Sequence, residues 1–190
     1  MKTAFLAAAF ATVSTCVLAD ADTYLLDPSH SQVVFSYNHL GFSTTHGMFS
    51  GFNGEIQFDQ ENPAASSVAV SFPVKSMLTG WEARFAHFMN PDFFAAKEGD
   101  MISFVSTGIE VTGDNTAVIT GDLTMNGVTR SVELNAKLNQ AGTHPSEGKP
   151  WAGFDATTSL LRSDYDLGKF APYVSDEVAV NISIEAMKAD

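Results

Sequence analysis

Cysteine is all but missing: one residue in 190, which excludes an internal disulfide framework and every cysteine-cluster metal site. Cations are scarce too, with 10 Lys plus Arg against 22 Asp plus Glu and a formal charge of -12. A nucleic-acid backbone or an anionic lipid surface repels such a chain on average, so nucleic-acid binding is excluded as a leading reading. No Gly-x-Ser-x-Gly, phosphate loop or dinucleotide fingerprint occurs, which removes the common signatures of hydrolases and nucleotide enzymes. Past the first 20 residues no apolar run reaches the ~18 residues of a membrane-spanning helix. What is present is a chain about one domain long, with 45% hydrophobic and 17% charged residues, a balance that can bury a core. Phenylalanine is abundant at 15 residues, and that abundance needs a physical use.

The first 19 residues read as an address label. Lys2 supplies one positive charge, Ala4 to Val13 an apolar small-residue stretch, and Val17-Leu18-Ala19 a cleavage region before the first acids. That order is a secretory signal peptide, and the stretch is too short and too interrupted by Ser and Thr for a stable membrane span. Cleavage after Ala19 fits, as does cleavage after Ala21. Cys16 leaves with the leader; Thr15 before it is a poor match to a lipidation site. The expectation is an exported, soluble chain, periplasmic or secreted, with no stable membrane insertion, its residues 22–190 forming a single domain.

Short alternating segments rich in Val, Ile, Thr and Phe recur between Gly, Asn, Asp and Pro from residue 32 onward, which predicts β-strands. Candidates cover 32–39, 47–58, 66–74, 101–111, 116–126, 129–138, 151–161 and 177–186, with 23–26 as a short added edge. Asn126-Gly127 and Asp114-Asn115 are two-residue hairpin signals. The fold class is mainly β: an eight-stranded antiparallel barrel whose closure removes sticky edges. Parity sends Val33, Phe35, Tyr37 and His39 to one face, as it does Val68, Val70, Phe72 and Val74, and Val178, Val180, Ile182 and Ile184. Those faces meet in an interior that either fills with side chains or holds one small ligand.

Residues 75–100 break the pattern, and 26 residues between strands is far beyond a hairpin. Leu78, Trp81, Phe85 and Phe88 are spaced three, four and three apart, which predicts an amphipathic helical insertion over about 77–98. Pro91 ends it, Asp92 caps a short second turn, and Phe93-Phe94 add two rings. Such a segment either plugs one end of the barrel or forms the lid of a cavity.

Four separated motifs carry a family resemblance. They are His30-Ser31 to Phe35 with His39-Leu40-Gly41-Phe42-Ser43, Gly47-Met48-Phe49 and Phe52-Asn53-Gly54; Arg84 and His87 with Asp92-Phe93-Phe94; Gly121-Asp122-Leu123-Thr124 with Gly127-Val128-Thr129-Arg130; and Gly153-Phe154 with Arg162-Ser163-Asp164-Tyr165. Together, over residues 24–187, the chain resembles the YceI-like polyisoprenoid-binding family. Two positions depart from the family pattern: Phe85, where an acid often follows the Arg, and Asp166, where Gly is frequent. The resemblance implies a lipocalin-like barrel with inserted helices that binds a long isoprenoid or similar amphiphile in the bacterial periplasm, as a carrier without catalysis. No cofactor is implied beyond a bound isoprenoid or quinone, and the protomer is expected as a monomer or homodimer.

The residues that would line such a lipid cavity are Phe35, Tyr37, His39, Phe49, Phe72, Leu78, Trp81, Phe85, Phe88, Phe93, Phe104 and Phe154. Phenyl rings supply contact area with no polar groups that need partners. Candidates for the head group are His39, Arg84, His87 and Arg162. His87 follows Arg84 by three and shares its helix face. Arg162 with Asp164 reads as an ion pair or turn brace, and Arg130 as a surface or strand-pair residue. With so few cations, a diphosphate head is poorly served, and an uncharged head needing one or two hydrogen bonds is preferred. The five histidines, His30, His39, His46, His87 and His144, match no tight metal motif. Ser31 follows His30, but neighbours on a strand point to opposite faces, so no relay is expected. The rival readings are a stress-related secreted interaction protein with a filled barrel and a lipid-acting enzyme.

Overall fold

The computed structural model describes residues 21–190, and the period-two segments there become ten antiparallel strands. They are β1 (Asp22–Leu26), β2 (Gln32–His39), β3 (Ser43–Phe49), β4 (Asn53–Phe58), β5 (Ser67–Pro73), β6 (Met101–Gly113), β7 (Thr116–Met125), β8 (Val128–Thr143), β9 (Pro150–Leu161) and β10 (Glu177–Lys188). The leader expected over 1–19, with Cys16, lies outside the described residues.

Ten strands make eight staves. β1 and β2 both pair with β10, through Leu26 opposite Ala186 and Gln32 opposite Ser183, so they are two parts of one stave interrupted at 27–31. β3 pairs with β2 and β4 with β1, which makes a second interrupted stave. The remaining ladder runs β4-β5-β6-β7-β8-β9-β10, and the β1–β10 pairing closes it. The result is a closed eight-stranded antiparallel barrel, as the strand count predicts.

Three details correct the sequence reading. Residues 23–26 are no edge: β1 is paired on both sides, and Tyr24 and Leu26 are buried. The strand expected over 47–58 is broken between Phe49 and Asn53, with Gly51 at φ +71° and Gly54 at φ +138°. A Cβ on Gly54 would stand 2.2 Å from the Ala69 carbonyl oxygen, so this crossing requires glycine. β8 and β9 together extend beyond the expected 129–138 and 151–161, with a register shift between Leu138 and Gln140.

Parity survives where bulges allow it. On β6 the inward residues are Ile102 and Phe104, then Ile109 and Val111, because a register shift between Ser106 and Gly108 moves the inward set from even to odd numbers. The Ser106 hydroxyl accepts the Val68 N–H at 2.8 Å, which holds the irregularity to β5. Both hairpin signals hold as two-residue turns: Asn126 and Gly127 take φ of 53° and 76°, and Gly113 pairs with Thr116.

The packed core sits on the β1-β4-β5 side. Phe49, Phe72 and Phe52 stack in a tilted chain with centroids 5.2 and 4.7 Å apart. Tyr24, Phe58 and Phe154 meet edge-on at 5.7 and 5.4 Å. Such rings pack more strongly than their area alone predicts.

The connection between β5 and β6 is less helical than its spacing predicts. The helix α1 covers only Glu82–Phe88. Gly80 at φ +72° and the Thr79 hydroxyl, which donates to the Trp81 carbonyl at 2.8 Å, hold the preceding residues in a turn. Leu78 instead exchanges two backbone hydrogen bonds with Met48, at 3.0 and 2.7 Å. The helix stops at its C-cap Met89, before Pro91, and the following turn is capped by Asn90, whose side chain accepts the Asp92 N–H.

Candidate ligand-binding site

Eight staves with apolar inner faces leave a cavity of about 1140 Å³, above the ~300–1,000 Å³ of most small-molecule sites. The inward side chains on β6 run from Ile102 to Val111, about 30 Å along the strand at ~3.3 Å per residue. With strands tilted by roughly 35–45°, that is ~23 Å along the barrel axis. The space is long and its wall is overwhelmingly apolar.

Phe35, Tyr37 and His39 reach it from β2, Phe49 from β3, Phe72 from β5, Phe104 from β6 and Phe154 from β9. Trp81, Phe88 and Phe93 cover it from the connection around α1. Phe88 and Phe93 lie edge-on at 5.3 Å, and Phe88 meets Tyr37 edge-on at 6.3 Å, so α1 is pinned across the barrel mouth by rings.

Leu78 and Phe85 do not line the cavity. Leu78 is 56% exposed because its backbone is committed to Met48, and Phe85 packs against the buried core cluster. Phe85 thus fills an apolar site at a position where the related pattern often carries an acid. Many aliphatic wall residues were readable by parity but not singled out, among them Ile119, Leu123, Leu134 and Leu160. Phe170 and Tyr173 also line the mouth, from the loop before β10, where no periodicity marks them.

The polar groups cluster at the same mouth. Arg84 donates from Nη1 to the Thr79 carbonyl at 3.0 Å and stands 6.0 Å above the Trp81 ring, leaving further donors free toward the cavity it lines. His87 lies 3.9 Å from the Asp92 carboxylate, which also accepts from Lys169 Nζ at 2.9 Å. The His87 imidazole is flanked by Phe93 at 5.1 Å and Phe170 at 6.1 Å. His39, at the end of β2, bridges through its backbone to Val174 and adds a ring to the rim.

Arg162 differs from the other three. Its Nε donates to the Ser175 carbonyl, Nη1 to those of Leu167 and Lys169, and Nη2 to that of Val174, at 2.6 to 3.0 Å. It forms no ion pair with Asp164; of the two readings, ion pair or turn brace, the brace is the one found, and four of its five N–H donors are committed to the loop although the residue also lines the cavity. Burial lowers its pKa from the ordinary arginine value, against Asp176 and Tyr37, which favour the charge. Arg130 likewise braces this corner, donating to the Asp164 carbonyl. Asp166 follows at φ 57°, a left-handed position suited to Gly and tolerated by Asp, which accounts for the departure there.

Outside the barrel, in the break between β1 and β2, Asp27, His30 and Glu185 bring ligand-capable atoms within 4.8 Å of one another. A direct hydrogen bond between Asp27 and His30 Nδ1 spans the group. The neighbouring hydroxyl is that of Ser29, not Ser31: it donates to Asp27 at 2.7 Å and lies 3.1 Å from the same Nδ1. Serine and carboxylate therefore meet one ring nitrogen, and no nucleophile relay exists here. Ser31 is instead buried against the backbone of Glu185.

A closed antiparallel barrel around a long apolar cavity with a few polar groups at one mouth defines a barrel of the lipocalin-like kind. Residues 24–186 match the YceI-like domain, and the chain belongs to that family. It is 38% identical over 172 residues to a UPF0312 protein of Ectopseudomonas mendocina, covering 90% of each chain. Among solved structures it is similar to BcnA of Burkholderia cenocepacia, with a TM-score of 0.76, 26% identity, and coverage of 85% of this chain and 99% of that one. A polyisoprenoid binding domain from Saccharophagus degradans, implicated in plant cell wall breakdown, shares the fold at a TM-score of 0.67 and 13% identity, over 87% of this chain and 98% of that one.

Proposed function

We propose that this chain is a periplasmic carrier that shields a polyisoprenoid, of quinone or polyprenyl type, or a similar long amphiphilic lipid, and performs no chemistry on it. The long apolar cavity carries the reading. Each buried methylene is worth ~0.8 kcal/mol, micromolar affinity is about 8.2 kcal/mol, and association costs about 8 kcal/mol more. About 20 buried carbons, roughly four isoprene units, therefore suffice for micromolar binding. Arg84, His87 and His39 offer hydrogen bonds at the mouth without a dense cationic cradle, which suits an uncharged oxygen-bearing head better than a diphosphate.

The internal space speaks against the filled-barrel alternative, and among the described residues no catalytic constellation supports a lipid-acting enzyme. Organic extraction of the purified protein, followed by mass spectrometry, tests the carrier. The expected result is a stoichiometric long-chain amphiphile. Its absence, together with no binding of added quinone or polyprenol, would overturn the reading.

A further inference from the structure

Five large apolar side chains stand in solvent at one end of the barrel: Phe42 at 89% exposure, Tyr173 at 77%, Trp81 at 64%, and Leu40 and Phe170 at 48% each. They come from three separate segments: the β2–β3 hairpin, the turn before α1, and the loop before β10. Backbone hydrogen bonds zip two of those segments together, from Leu40 N–H to the Tyr173 carbonyl at 3.1 Å and from Ser175 N–H to the Asn38 carbonyl at 3.0 Å. The patch is thus a held rim and not a scatter of loop tips. Isolated exposed hydrophobes are ordinary, but a convergent set of this size marks a contact surface.

Four of the five, Leu40, Trp81, Phe170 and Tyr173, also line the cavity. These four side chains therefore link the apolar lumen, over the mouth, to the outside. Phe42 extends the link outward from the hairpin tip. Arg84 stands over the Trp81 ring, Lys169 over the Phe170 ring and Asp92 pairs with Lys169, so charges of both signs border the rim. Trp and Tyr suit an interface where one end of the ring is apolar and the other wet.

We propose that this rim docks on the surface of an electrically neutral, zwitterionic phospholipid bilayer, inserting its rings at the head-group level so that a lipid passes between bilayer and lumen without crossing water. The partner follows from continuity with the cavity: a lipid that enters through an apolar rim arrives from a phase that rim can wet. The formal charge of -12 argues against an anionic membrane. The inference rests on the carrier reading, and its test separates the two.

Flotation with phosphatidylcholine vesicles reads docking directly, and titration with a short-chain, water-soluble quinone reads the cavity without any membrane. The wild-type protein is expected to float, with little dependence on salt and with weaker binding to vesicles containing phosphatidylglycerol. Phe42→Asp, at a solvent-exposed tip outside the cavity lining, is expected to lower vesicle partition about tenfold or more while leaving soluble-quinone binding and melting temperature unchanged. Failure of the wild-type protein to float, or equal flotation of the variant, would overturn docking. Self-association that Phe42→Asp abolishes, without flotation, would assign the rim to a second copy and also overturn it. Loss of soluble-quinone binding in the wild-type protein would instead count against the carrier and leave the flotation result to decide docking.

Discussion

Phe35 lies over Gly47, its partner across β2 and β3: a Cβ on the glycine would stand 2.2 Å from the ring's Cζ. Phe104 covers Gly121 likewise, at 2.4 Å, but diagonally, since its register partner on β7 is Leu123. At both places a ring leans along the wall onto a neighbouring strand instead of crossing the lumen. Glycine here provides width.

Gly47→Ala is therefore expected to push the Phe35 ring off the wall and into the cavity. Lipid affinity should fall about tenfold, while stability falls by only ~1 kcal/mol, at the low end for overpacking, because the ring has empty space to enter. Lipid titration beside a denaturant melt checks this. Unchanged affinity would mean that the ring finds another place along the wall.

Phe88→Asp puts a carboxylate where α1 meets Tyr37 and Phe93 over the cavity. Lipid uptake is expected to be lost outright, because the charge cannot be desolvated against a hydrocarbon chain without a cost of several kcal/mol, more than ~3. Stability should drop less, since the side chain is only half-buried. Parallel loss of both, by uptake assay and chemical denaturation, would identify α1 as a plug of the core.

Arg162→Ala deprives four carbonyls, those of Leu167, Lys169, Val174 and Ser175, of their donor. The expected cost is ~2–4 kcal/mol, with the exposed carbonyls partly rescued by water. Hydrogen exchange should accelerate across 167–176, the loop that carries Phe170 and Tyr173. Arg162→Lys should rescue little, because an ammonium lacks the planar fork that reaches several carbonyls at once.

The His30–Asp27 pair predicts a pH dependence. Hydrogen bonding to Asp27, its charge and that of Glu185 raise the His30 pKa above the ordinary 6.5. For Asp27, burial acts upward, but hydrogen bonds with Ser29 and His30 outweigh it and hold the carboxyl below 3.8. A raised histidine stabilises fully below its unfolded value and loses that contribution as pH climbs through the folded one. The aspartate contributes above its unfolded value and loses its share only as pH falls through the lowered one. The melting temperature should thus decline as pH rises from below 6.5, and His30→Gln should remove that part of the decline. An unaltered profile in the variant would show that the contact does not persist in solution.

The barrel was legible because period two is a strong signal wherever one face is buried, and Val68-Val70-Phe72 or Val178-Val180-Ile182 admit one placement only. The helical insertion expected over about 77–98 is confined to Glu82–Phe88 because three-four-three spacing is satisfied equally by a turn followed by a short helix, and Thr79 and Gly80 decide between them through a local hydrogen bond and a positive φ. Ile109 and Val111 face inward through a bulge, a device that strict alternation hides. Arg84 and His87 share the mouth as their spacing suggests. Arg162 shows the limit: of the two sequence readings, ion pair or turn brace, the brace holds, but its four acceptors are carbonyls, invisible to any pattern of side chains, and Asp164 is not its partner.

The two interrupted staves give the container an uneven stiffness. Everywhere from β4 round to β10 a stave is laced to both neighbours, so dilation there must tear a ladder. Beyond the Met48–Leu78 bridge, the outer flank of β3 from Ser43 to Gly47 has no such lacing among the described residues. If the chain is the carrier proposed above, a bulky cargo would swell the vessel along this seam by sliding side chains past each other, sparing every backbone bond, and the same sequence would accommodate tails of unequal girth.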